Sequence, residues 1–123
     1  MKLTEAEELL MHHLWQSGKA FMKDLLEAYP EPKPAPTTVA TLLKRMIDKG
    51  FVAYREYGNS REYYPLVAKD EYFSSQMKGL ISSFFNDSTA QFASFFAQSS
   101  NLTTAELEDL KKIIDQQLKQ KKP

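Results

Sequence analysis

The residue types with chemical reach in this chain cluster between positions 36 and 66. Pro36-Thr37-Thr38-Val39 opens a run in which Thr37, Thr41, Lys44, Arg45 and Asp48 recur on one side of a helix turning about 100° per residue. Short hydroxyls near the start and two long cations further on suit nucleic acid. Threonine contacts a phosphate or lays its methyl on a thymine methyl; lysine and arginine reach guanine edges or phosphates. On such a helix alone, Lys44 and Arg45 are as well explained as ordinary solvated charges. The next segment tips the balance. Arg55 and Arg61 flank the small polar sequence Gly58-Asn59-Ser60, and a small core has no use for either guanidinium.

These side chains need elements to hold them. Val39, Leu42, Leu43, Met46 and Ile47 fall at helical spacing and predict the buried face of the same helix. Pro36 suits its first turn and Gly50 the position just past its end. Val52, Tyr54 and Glu56 alternate with Ala53, Arg55 and Tyr57, which is strand periodicity. Gly58-Asn59-Ser60 supplies a turn, and Arg61 and Tyr63 return on a second strand closed by Pro65. At least one of Tyr54 and Tyr64 is expected to pack on the core.

Upstream, Thr4-Glu5-Ala6-Glu7 has the form of a capping box. It opens a helix to about Ser17 with Ala6, Leu10 and Leu14 inward and Trp15 beside them. A shorter helix over residues 22–29 turns Leu25 and Leu26 inward. Pro30, Pro32, Pro34 and Pro36 then enforce an extended connector. Helix, helix, reading helix and hairpin in this order predict a winged helix-turn-helix, mainly α with a small β-hairpin, over residues 1–69.

Residues 70–123 read as helical throughout. Helices are expected over 70–85 and 88–98, with a last one opened by the capping box Thr103-Thr104-Ala105-Glu106. Phe84, Phe85, Phe92, Phe95 and Phe96, with Leu110 and Ile114 on the last helix, are more apolar surface than so short a segment can bury by itself. Either the segment extends the first core or it pairs with a second copy. A homodimer is the preferred reading, since a reader of DNA gains specificity from two half-sites.

Composition narrows the function. Lys+Arg 16 balances Asp+Glu 16, which argues against a protein that coats nucleic acid generally. The charge is uneven, though: residues 33–61 hold Lys33, Lys44, Arg45, Lys49, Arg55 and Arg61, and the acids set against them are Asp48, Glu56 and, just beyond, Glu62. With no cysteine, disulfides and thiolate metal sites are excluded. His12 and His13 are adjacent on a helix, point about 100° apart and cannot chelate one ion; surface positions with one ring partly packed are expected. Asp70-Glu71 and Glu106, Glu108 and Asp109 read as helix N-terminal acids. With no nucleophile elbow, Walker loop or HExxH motif, neither an enzyme, a metal nor a cofactor is expected. No signal peptide or apolar run of about 18 residues is present, so the expected location is cytoplasmic, without a membrane partner.

The segments LTEAEELLMHHLW, PTTVATLLKRMIDKGFV and REYGNSREYYPLVAKDEY together resemble the penicillinase-repressor family of bacterial transcription regulators (BlaI/MecI/CopY type). The resemblance covers nearly the whole chain. It implies a homodimeric repressor whose winged helices bind an inverted-repeat operator in double-stranded DNA. On matching positions it assigns DNA contacts to Thr37, Thr38, Thr41, Lys44 and Arg45, with Arg55 and Arg61 on the wing. Two departures concern switching. The cysteine cluster of the copper-responsive branch is absent. The Asn-Phe bond at which the β-lactam branch is cleaved by a sensor protease is replaced by Phe92-Ala93-Ser94-Phe95-Phe96, leaving Ser94-Phe95 or Phe95-Phe96 as the nearest analogues. The competing readings are a winged-helix protein-interaction module and a DNA-binding regulator that is not a repressor.

Overall fold

The computed structural model describes residues 2–122. They form two compact units, Met1–Gln76 and Met77–Pro123. In the first, α1 (Glu5–Ser17) is followed by the strand β1 (Ala20–Phe21), α2 (Met22–Ala28) and α3 (Pro36–Asp48). β2 (Val52–Tyr57) and β3 (Ser60–Pro65) make the ribbon, and α4 (Lys69–Phe84) begins in this unit. The first turns of α4 belong to the first core, because Tyr72 is buried there and its ring meets Phe51 edge-on at 5.7 Å.

The core is closed by α1, α2 and α3 over the sheet. Leu10, Met11, Leu14, Leu25, Leu43, Met46, Val39 and Val52 are all fully buried. The Thr4 capping box forms as expected, with the Glu7 carboxylate accepting from the Thr4 N–H at 2.8 Å. The inward stripe of α1 differs by one position, however: Ala6 is exposed and Glu7 is fully buried in its place. The charge is tolerated because the Lys49 ammonium donates to Glu7 Oε1 at 2.7 Å. Burial works to raise the Glu7 pKa. The bonds from Lys49 and from the Thr4 backbone and side chain outweigh it and hold the carboxyl below 4.5. Trp15 is half-buried, and its indole N–H donates to the Val67 carbonyl at 2.8 Å.

His13 also departs from expectation. It is buried, edge-on to Tyr29 at 4.6 Å, and neither ring nitrogen has a hydrogen-bond partner. Desolvation, with a smaller contribution from the neighbouring His12, pushes its pKa below 6.5. His12 is only half-buried.

The sheet has three strands in the order β1-β3-β2, all antiparallel. β1 is too short to leave a periodic signature, yet it pairs Ala20 with Tyr63 and Phe21 with Glu62. The hairpin turn is Gly58-Asn59 alone, since Ser60 already pairs with Tyr57. Gly58 takes a positive φ of 59° while Asn59 does not, the pattern of a type II′ loop.

In the second unit, the rest of α4 is followed by α5 (Thr89–Ser99), capped by Ser88, and α6 (Thr104–Lys121), opened by the Thr103–Glu106 capping box. Phe85 meets Phe92 at 5.5 Å and Phe95 at 5.3 Å, and Phe92 stacks on Phe96. Even so, neither α5 nor α6 contains a buried residue. Phe84, Phe95, Phe96 and Ile114 are exposed and Leu110 is half-exposed.

Candidate nucleic-acid interface

α3 turns its apolar stripe toward the core. Val39, Leu43 and Met46 are buried, with Leu42 and Ile47 packed beside them. The opposite side is therefore committed to solvent, and Thr37, Thr38, Thr41, Lys44 and Arg45 are all exposed. The Thr41 hydroxyl donates to the Thr37 carbonyl one turn back at 3.0 Å. This turns its proton away from solvent and leaves the methyl and a lone pair for an outside partner. Ala35 precedes the helix without a side-chain cap, so no capping side chain occupies the positive end of its dipole there.

The structure sorts the basic segment by what each cation already holds. Lys33 donates to the carbonyls of Leu26 and Glu27 at 3.2 Å and of Tyr29 at 2.7 Å, closing the end of α2. Lys49 is engaged by Glu7 and by the Lys2 carbonyl. Among the described residues, Lys44 and Arg45 form no ion pair, and Arg61 has only a long contact to Glu56 at 4.0 Å. Lys33 and Lys49 thus serve the fold: Lys33 folds back on carbonyls four to seven residues upstream, whereas Lys49 is claimed by Glu7, 42 residues away.

The wing arginines lie on opposite faces of the ribbon. The register pairs Arg55 with Glu62 and Glu56 with Arg61, and paired residues share a face. Arg61 is accordingly on the side of Tyr54 and of buried Tyr63. With Lys44, Ala40 and Ile47 of α3, these residues line a groove of about 360 Å³ between helix and ribbon. Arg55 lies instead beside Lys19, Tyr57, Glu62 and Tyr64. Of the two tyrosines weighed for core packing, Tyr54 packs against the core and Tyr64 is half-buried on the outer face.

Three helices, a short first strand and a two-stranded ribbon, with a solvent-facing third helix beside the ribbon, define a winged-helix protein. Two solved structures share this fold. The solution structure of the DNA binding domain of the repressor BlaI matches with a TM-score of 0.51 and 22% identity, covering 58% of this chain and 88% of that one. The crystal structure of a mutant MarR from E. coli matches with a TM-score of 0.53 and 14% identity, covering 95% of this chain and 79% of that one.

The penicillinase repressor family model matches residues 3–116, and the chain belongs to that family. Among its relatives, the methicillin resistance regulatory protein MecI of Staphylococcus aureus strain N315 is 24% identical over 115 residues, 93% of this chain and 94% of MecI. The penicillinase repressor of Bacillus licheniformis is 20% identical over 122 residues, 98% of this chain and 95% of that protein.

Among the described residues, no group of acidic and histidine side chains is placed to hold a metal ion, and no helix is long and apolar enough to cross a membrane.

Proposed function

We propose that the chain is a homodimeric transcriptional repressor that reads an inverted-repeat DNA operator with α3 and the wing. The observation that carries this reading is the surface of α3: two cations without an internal ion pair, hydroxyls at its N-terminal end, and a ribbon alongside bearing Arg61. Thr37, Thr38 and Thr41 would meet the backbone or thymine methyls, Lys44 and Arg45 base edges or phosphates, and Arg61 the flanking backbone, while Arg55, on the opposite face of the ribbon, stays outside that contact. Family membership supports repression as the outcome of binding.

The second unit supplies the partner surface. Met77, Ile81, Phe92, Phe96, Leu107 and Ile114 line an open apolar groove of about 480 Å³. Such a surface on a small unit is what an obligate interface covers. A sensor protease acting near Ser94-Phe95 or Phe95-Phe96 would separate the two functions. Those bonds lie inside α5, so cleavage there requires local unwinding of the helix first.

Titration of the protein onto duplex DNA from upstream of its own gene, against a shuffled duplex at physiological salt, tests the reading. Preference for the native duplex of roughly a thousandfold or more is expected. Equal, weak binding to both, together with a failure to select any sequence from a random duplex pool, would overturn it.

A further inference from the structure

The two wing arginines carry the same group and are both exposed, yet the fold treats them differently. Arg61 is held. Its guanidinium lies over the Tyr54 ring at 4.3 Å from the centroid, well inside the range where a cation and an aromatic face attract. The Tyr54 ring is itself fixed, with Tyr63 at 5.9 Å and the core behind it. Ring and guanidinium both line the groove beside α3, to which Lys44 contributes from the helix. Arg55 has a weaker seat. It sits 5.9 Å from the Tyr64 centroid, at the limit of that attraction, with the Glu62 carboxylate directly across the ladder. The groove it lines holds no residue of α3.

We infer that Tyr54 is a positioning residue: it presents the Arg61 guanidinium on the α3 side of the wing, where Arg61 and Lys44 grip the same stretch of phosphodiester backbone. Arg55 takes no part in that grip. The inference rests on the DNA-binding reading and deepens it, because it makes helix and wing one continuous surface joined through a tyrosine. A free arginine at a ribbon tip samples many rotamers and loses that freedom on binding. One already laid on an aromatic ring loses less.

The test is fluorescence anisotropy of the full chain on its selected duplex, over a salt series, with Tyr54→Phe, Tyr54→Leu, Arg61→Ala, Arg55→Ala and the double variant Tyr54→Leu/Arg61→Ala. Arg61→Ala is expected to weaken binding and to reduce the slope of log affinity against log salt by about one. Tyr54→Leu should weaken binding about three- to fivefold, and Tyr54→Phe, which keeps the ring, should stay within about twofold of wild type. In the Arg61→Ala background, Tyr54→Leu should have no further effect. Arg55→Ala should leave the slope unchanged.

Equal weakening by Tyr54→Leu in both backgrounds would make the tyrosine a packing residue and overturn the inference. So would an Arg55→Ala loss equal to that of Arg61→Ala. If the unsubstituted chain selects no duplex, the DNA-binding reading itself fails and takes this inference with it, an outcome distinct from the other two.

Discussion

In the first unit, the thirteen residues of α1 bury Glu7, Leu10, Met11, His13 and Leu14. In the second, the eighteen residues of α6 bury none, although Leu107, Leu110, Ile113, Ile114 and Leu118 repeat along it at helical spacing. Both helices begin with the same capping box, and both carry an apolar stripe. What separates them is what the stripe meets. α1 packs on α2, α3 and the sheet, whereas Ile113, Ile114 and Leu118 remain exposed. Local signals thus specify that a helix forms. Whether its stripe becomes a core depends on how many elements the unit can fold over it.

The comparison can be broken or sharpened by substitution, and the largest effect belongs to the closed core. Leu14→Ala, at a site with no exposure, is expected to lower stability by about 2–5 kcal/mol in denaturant titration. A loss below about 1 kcal/mol would mean that the core is far less tightly closed than its burial implies.

Lys49→Met comes next. It leaves the Glu7 carboxylate buried without its cation, at an expected cost of about 1–3 kcal/mol at neutral pH, read in the same titration. The cost is held below that of a fully buried pair because the Lys49 side chain is a quarter exposed.

Acid should then reach the first unit through two groups with the same sign. The pKa of His13 is lowered by folding, so its neutral form stabilises the fold above about 6.5, and that contribution is lost as pH falls below this value. The Glu7 pKa is also lowered, so its contribution is intact above 4.5 and is lost as pH falls through its folded value. Thermal melts from about pH 7.5 to about pH 3.5 should show both phases. Glu7→Gln should flatten only the lower one and His13→Leu only the upper.

The smallest effect on folding is expected in the open unit. Phe84 is 76% exposed, and Phe84→Ser should change the stability of the isolated chain by no more than about 0.5 kcal/mol. Sedimentation equilibrium of the same variant should nevertheless show weaker self-association. Unchanged self-association would remove Phe84 from the proposed interface.

Much of the fold was legible because its signals are local. Thr4 with Glu7, Thr103 with Glu106, the Val39–Leu43–Met46 stripe and the prolines before α3 each act within a turn or two. The exposed side of α3, and with it most of the candidate site, followed directly. Features that depend on distant partners were not legible. Glu7 reads as a surface acid until Lys49 arrives from 42 residues away, and Lys49 as part of a basic patch until that pair forms. β1 is two residues long and exists only because β3 offers it an edge. The separation of Arg55 from Arg61 depends on the ladder register, because shifting a strand by one residue exchanges its faces. Reading Gly58-Asn59-Ser60 as the turn left open a register that the Tyr57–Ser60 pair settles.

The short strand β1 also bears on where another chain could extend the sheet. β1 covers only two residues of β3, so the long open edge of the sheet is β2, and an uncovered strand is a template on which another chain can add. Here that margin carries Arg55 and Glu56 in succession, beside a tight glycine turn. Adjacent opposite charges are poorly matched to a sliding hydrophobic strand, and they discourage growth of the sheet from molecule to molecule. The chain thus leaves apolar surface open in its second unit and discourages strand addition at the sheet edge of its first.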